Sequence, residues 1–184
     1  RPDDYSARDR DGHGTAVASC AAGNVNTGLV TFSGFAPKAW LGNYKIYGSP
    51  GVNDGTADDI IIQALDDAYQ DGMDIISLSS GGPAFSGPLD TGAVCGNDPG
   101  VPCDLVAQAV ETLSAKGVVI VTAAGNEGND GVSTRLPGFS TIDSPGTAPS
   151  AIAVGGATNS HSFTEVVGVA GSGAPSSVQN IPAE

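Results

Sequence analysis

The chain has 184 residues, enough for one domain, and its 40% hydrophobic content with 27 Gly and 12 Pro favours a folded, turn-rich protein over a disordered one. Twenty acidic residues against seven basic ones give a formal charge of −13, and no Lys/Arg cluster is present to track a phosphate backbone. Nucleic acid is therefore excluded as an expected partner, and with no apolar run of about 18 residues, so is a membrane span.

The first segment, "RPDDYSARDR", opens without a strand pattern. "DGHGTAVASC" follows, and from His13 to Ala22 the chain is helical in character with almost only small side chains. A helix this slim can sit close to its neighbours, so a central position is expected. His13 stands at its start, which alone is more often a structural than a catalytic place.

Four short apolar runs come next, each bounded by Gly, Pro or Ser: "KAWLGNYKIY" (38–47), "MDIISLSS" (73–80), "VVIVTAA" (118–124) and "AIAVGGA" (151–157). They read as buried parallel strands. Between the first two, a helix is expected from a capping-box-like Thr56 and Asp59, with Ile60, Ile61, Ala64, Leu65 and Ala68 on one face and a stop at Gly72. Between the second and third, Asp104 reads as the N-cap of a helix burying Leu105, Val106, Ala109, Val110 and Leu113, with Lys116 in its last turn and Gly117 ending it. This alternation predicts an α/β fold, a mostly parallel sheet with helices on both faces. After Thr158 the chain turns Gly-, Ser- and Pro-rich, giving two regions: 1–158 as the α/β part and 159–184 as an irregular tail.

Three cysteines leave one unpaired. Cys95 and Cys103 flank the turn-rich "GNDPGVP", which can bring them within disulfide reach; a bridge and free thiols stay open as alternatives. If the bridge forms, Cys20 is expected as a small buried thiol. No metal site is expected: His161 is the only other histidine, and C-x-x-C, H-E-x-x-H and calcium-loop spacings are missing.

Two strand ends carry candidate chemistry. "TAAGNEG" places Asn126 after a buried strand, where a side-chain NH2 can face an oxygen gaining negative charge; a plain turn is the blander alternative. "ISLSSGGP" leaves uncovered main-chain groups at Ser79, Ser80 and Gly81, to which an extended peptide can pair. "GVNDGT" (51–56) lies before the first long helix and offers a second lining.

The runs "DGHGTAVAS", "ISLSSGGP", "GVVIVTAAGNEG" and "SPGTAPSAIAVGGAT", in this order, resemble the subtilisin-like serine proteases from about Asp11 to Thr158. The resemblance implies that His13 is the general base of a triad and Asn126 the side-chain donor of the oxyanion hole. It implies that Ser79, Ser80 and Gly81 form one side of the substrate cleft, that Asn53, Asp54 and Gly55 form the other, and that Ala123, Ala124 and Gly125 wall the pocket for the residue before the scissile bond. Ala16 stands where the family usually has a second histidine.

The family's triad order is Asp, His, Ser. Neither an Asp-Thr/Ser-Gly strand end before His13 nor a Gly-Thr-Ser-Met-Ala nucleophile after Asn126 occurs here. Asp9 and Asp11 read as loop acids, Ala148 sits where "PGTAPS" would need a serine, and Ser140 lacks the second glycine of a nucleophile elbow.

The expectation is the central piece of a subtilisin-like endopeptidase catalytic domain, inactive alone, with its tail at the junction to an inserted protease-associated domain. It would act on polypeptides, need no cofactor, with structural calcium in the full-length protein left open, and be secreted or cell-envelope in location. Incomplete layers would leave apolar strand faces open to self-association. A non-catalytic peptide-binding or scaffold protein on the same fold is the alternative.

Overall fold

A computed structural model describes residues 6–28, 31–51, 54–129 and 141–157, together with the backbone of 166–167 and 181–182. Its centre is a three-stranded parallel sheet, β3 (Ile75–Leu78), β4 (Val119–Ala123) and β5 (Ile152–Val154), in that spatial order. Two short antiparallel pairs accompany it: β1 (Asn26–Thr27) with β2 (Thr31–Phe32), and β6 (Val166–Val167) with β7 (Ile181–Pro182). The last pair lies in the segment read as an irregular tail.

The helices α1 (His13–Ala22), α2 (Asp58–Gln70) and α3 (Leu105–Ala115) fall where the residue pattern puts them. Both long helices end in the same way. Gly72 and Gly117 take positive φ, and the next residue's N–H reaches back to the third-last carbonyl, Met73 to Ala68 at 3.0 Å and Val118 to Leu113 at 3.1 Å. At the start of α3 the Asp104 carboxylate accepts the Ala107 N–H at 2.9 Å, the expected cap. The expected capping box of α2 does not form. Ala57 is its N-cap, no side chain caps it, and the Thr56 hydroxyl is buried without a partner. Asp58 and Asp59 in the first turn still complement the positive end of the helix dipole.

The core is built by α2, α3 and one face of the sheet. Leu65, Val106, Ala107, Val110, Leu113, Val118, Ile120 and Ala148 form one buried cluster. Strand register explains which face is covered. Ile76 pairs with Ile120 and Leu78 with Thr122, all facing the helices, whereas Ile75 pairs with Val119 and Val121 with Ile152 on the opposite side.

The opposite side is bare among the described residues: Ile75, Val119, Ile152 and Val154 are 63, 44, 53 and 53% exposed. The expectation of helices on both faces is thus met on one face only.

Two further expectations are corrected. The run 38–47 is not a strand; its side of β3 carries no ladder, and Trp40 projects almost wholly into solvent. A strand needs a neighbour's N–H and C=O groups, and among the described residues this run is attached by side chains instead. Asn43 Nδ2 donates to Ala7 O at 2.6 Å, Lys45 Nζ to Arg8 O at 3.1 Å, Tyr44 OH to Asp71 Oδ2 at 2.8 Å, and Tyr47 shares a hydrogen bond with Ser80.

α1 is also not central: it has no buried residue, and Cys20, expected to be buried, is an exposed free thiol. Its small side chains find their close neighbour in the chain that follows, where Phe35 and Ala36 donate to the carbonyls of Cys20 and Ala21.

The Cys95–Cys103 disulfide forms, with Cα atoms 5.8 Å apart. Its loop is tied to α3 by Asp90, a fully buried carboxylate. Asp90 accepts from Cys103 N at 2.8 Å, Asp104 N at 3.0 Å and Gly92 N at 3.2 Å. Burial pushes this carboxyl up, but the three main-chain donors outweigh it and hold the group below the usual carboxylate range.

Candidate active site

Parallel sheets offer ligands the carboxyl ends of their strands, and two of the sequence motifs end there side by side. β3 runs out into Ser79, Ser80 and Gly81; its neighbour β4 runs out through Ala123 into Ala124, Gly125 and Asn126. Ser79 and Gly81 are exposed, Ser80 is half-buried and bonded to Tyr47, and Asn126 is exposed.

What joins the two strand ends is a residue that sequence reading passed over. Asp143, only 7% exposed, lies in the loop before β5, and its N–H donates to Ala124 O at 3.1 Å. The next residue, Ser144, exchanges two backbone hydrogen bonds with Gly82, at 3.0 and 2.8 Å. Glycine is required on both sides of this carboxyl. A methyl group at Gly81 would stand 2.9 Å from Asp143 Cβ; at Gly125, whose φ is +91°, it would stand 2.6 Å from Asp143 Cγ and 2.6 Å from Glu127 Oε2.

Gly125 therefore sits between two carboxyl groups. Glu127 Oε2 accepts the Asn126 N–H at 2.6 Å, and the Asp143 carboxyl stands beside the same Gly125. Burial, then the neighbouring Glu127 carboxylate, push the Asp143 carboxyl above its ordinary range. No sequence spacing signals this pair, since 16 residues separate its members and only the fold brings them together.

His13 opens α1 and is exposed. Its position is fixed from the loop before it. The Asp9 carboxylate accepts from Asp11 N (2.9 Å), Gly12 N (2.8 Å), Thr15 N (2.8 Å) and Thr15 Oγ1 (2.7 Å). Asp9 is thus a loop acid, as expected, but one that caps the helix in place of its glycine N-cap. The N–H groups of Gly12 and Thr15, with the Thr15 hydroxyl, hold its carboxyl far below the usual range.

Among the described residues α1 makes no sustained packing contact with β3, β4 or β5. Asp54 and Gly55 are exposed just before α2. Asn53, Ser140 and His161 lie outside the described residues. Ala148, at the place where a nucleophile turn would need serine, is a buried core residue. No group of three or more potential metal ligands occurs among the described residues.

The comparisons agree with one another. The model of the subtilase family, Peptidase S8, matches residues 1–180. Subtilisin-like protease SBT3.4 of Arabidopsis thaliana is 39% identical over 138 residues, covering 69% of this chain and 16% of that protein. Subtilisin-like protease SBT3.2 of the same plant is 36% identical over 175 residues, covering 88% and 20%. Subtilisin DY of Bacillus licheniformis is 35% identical over 147 residues, covering 80% and 43%. The chain thus spans about a fifth or less of the two plant relatives and under half of the bacterial one. A family match along nearly the whole sequence, over an α/β fold, establishes that this chain belongs to the subtilase family.

Proposed function

We propose that this chain supplies the histidine base, the oxyanion donor and part of the substrate cleft of a serine endopeptidase. The supporting observation is the adjacency of two strand ends: Ser79–Gly81 after β3, and Ala123 at the end of β4 with Ala124–Asn126 after it. An extended peptide laid along Ser79–Gly81 gains main-chain hydrogen bonds as an added strand, and the residue before its scissile bond is directed toward Ala123, Ala124 and Gly125. The scissile carbonyl then lies within reach of the Asn126 side chain, whose NH2 donates more strongly once the oxygen carries charge.

In this reading His13 takes the proton of a serine hydroxyl and returns it to the leaving amine, with an Asp orienting its ring. The Asp and Ser come from parts of the protein beyond these 184 residues, so the chain alone does not turn over peptides. Asp54 and Gly55, with Asn53, line the far side of the cleft. A secreted or cell-envelope location fits the Cys95–Cys103 disulfide, which persists in oxidising compartments. The bare sheet face makes self-association of the isolated chain the expected behaviour, read by sedimentation across a dilution series.

The test is peptide hydrolysis by the longer protein containing this chain. Asn126→Ala is expected to lower kcat by about 10²–10³ with little change in KM, the cost known for subtilisin itself when its side-chain donor is removed. His13→Ala should abolish turnover yet leave peptide binding intact. If both variants cleave like the parent, the assignment fails; if the parent binds peptides but never cleaves them, the protein is a binding module.

A further inference from the structure

We propose that Asp143 determines the specificity of the cleft, selecting a basic side chain, arginine or lysine, in the residue before the scissile bond. This deepens, and rests on, the reading of Ala123, Ala124 and Gly125 as the wall of the pocket for that residue.

The carboxyl lies between the two strand ends. Asp143 Oδ2 is 3.3 Å from the place where a side chain at Gly81 would begin and 2.8 Å from the same place at Gly125. Because both positions are glycine, no side chain of either strand end stands between the carboxyl and the space they border. The group is also held in place. Its own N–H donates to Ala124 O at 3.1 Å, and the next residue, Ser144, is tied to Gly82 by two backbone bonds, so its position is fixed before any ligand arrives.

Asp143 is only 7% exposed, yet among the described residues no main-chain N–H and no cation serves its carboxyl. Asp90 is the contrast within the same fold: there, three main-chain N–H groups converge on a buried carboxylate. The charged neighbour of Asp143 is instead a second acid. Glu127 Oε2 lies 2.6 Å from the same side-chain position at Gly125. Burial and Glu127 both penalise the Asp143 charge, and a cation entering between the strand ends offsets both. Two of the chain's own bases are engaged elsewhere, Lys45 on Arg8 O and Lys116 over the Tyr69 ring.

Arginine and lysine carry their charge at the end of an apolar stem, which can lie along Ala123 and Ala124 while the head reaches the carboxyl. Arginine, with a planar fork that serves two acceptors at once, suits the Asp143 and Glu127 pair better than lysine. An acidic residue is repelled, and an apolar one leaves the carboxyl buried without a partner.

The experiment uses the longer protein that contains this chain and peptides differing only in the residue before the cleaved bond: Arg, Lys, Leu or Glu. The value of kcat/KM for Arg should exceed that for Leu by about 10–100-fold, the worth of a hydrogen bond between charged groups, with Glu the poorest. Asp143→Asn keeps the shape and removes the charge, so the Arg-to-Leu ratio should fall by about the same factor. In parallel, calorimetry measures the binding of peptide amides that end in Arg or in Leu, a readout that needs no turnover, and the same order in Kd is expected.

Equal values for Arg and Leu in the parent, a ratio that Asp143→Asn leaves unchanged, or no binding of either peptide overturns the proposal. If Asp143→Asn does not fold, the parent's own ratio decides. If nothing is cleaved, but the Arg-ended peptide binds more tightly and Asp143→Asn abolishes the difference, the protease reading fails and the selectivity of Asp143 stands.

Discussion

Asp90→Ala should be the most damaging single polar substitution in the chain. It removes a fully buried acceptor from Cys103 N, Asp104 N and Gly92 N, two of them bonded at 3.0 Å or less. A hydrogen bond to a charged group contributes about 1.5–3 kcal/mol net, so the two short bonds together give about 3–6 kcal/mol. For a chain of this length each kcal/mol moves Tm by about 2–4 °C, which puts the fall at roughly 10 °C.

Asp90→Asn separates the contributions. Cys103 and Asp104 share one carboxylate oxygen, which the amide oxygen can replace, while Gly92 faces the other and is lost. About 1–2 kcal/mol is the expected cost.

The assay is thermal unfolding by circular dichroism, in oxidised and reduced protein. Opening the Cys95–Cys103 loop costs about 2–3 kcal/mol by loop-closure entropy. Because the loop presents Cys103 N to Asp90, the two losses should fall short of additive by about 0.5 kcal/mol or more. A Tm drop under about 3 °C for Asp90→Ala would show that water satisfies these donors and would refute the reasoning.

Asp104→Ala removes the α3 cap and should cost about 1 kcal/mol, visible as a smaller Tm shift in the same assay. Ile120→Ala, in the covered face, should cost about 2–5 kcal/mol. Ile75→Ala, on the bare face, should stay within about 0.5 kcal/mol; equal effects would mean that both faces are covered in solution.

Asp9 has a sign that acid titration can check. Its carboxyl is lowered in the folded chain, so its contribution is complete above the unfolded value and lost as pH falls through the folded one. Asp9→Ala should accelerate amide exchange at Gly12 and Thr15 at neutral pH, and the parent should approach that rate only in strong acid.

The parts of the fold legible in sequence are those set by local chemistry. Gly72 and Gly117 stop helices because only the next residue's reach to a third-last carbonyl is needed, and Asp104 caps α3 from three residues away. The Val/Ile runs at 75–78 and 119–123 are strands because each has a parallel neighbour. The equally apolar run 38–47 shows the limit of that reading, since composition reveals the tendency to extend and not the presence of a partner.

The site divides in the same manner. Asn126 and Ser79–Gly81 stand out by their place after apolar runs, whereas Asp143 stands in a Pro- and Gly-rich stretch whose importance arises only when Gly81 and Gly125 close around it. Asp9 was visible, but its four hydrogen bonds depend on the loop folding back by six residues to Thr15.

The attachment of 38–47 by side chains alone has a consequence for how the molecule breathes. Asn43 and Lys45 hold the segment carrying Asp9, while Tyr44 and Tyr47 hold α2 and the end of β3. No backbone ladder crosses this seam among the described residues, so opening it breaks those side-chain bonds and lifts Tyr44 and Ile46 from the apolar surface they line with Leu65 and Ile76, without breaking the sheet. The chain should therefore exchange its amides as two cooperative units, a fast one bearing His13 and a slow one bearing Asn126. Under the proposed roles, bringing His13 and Asn126 into register is then a docking equilibrium between units, adjustable at Tyr47 without any change at either residue.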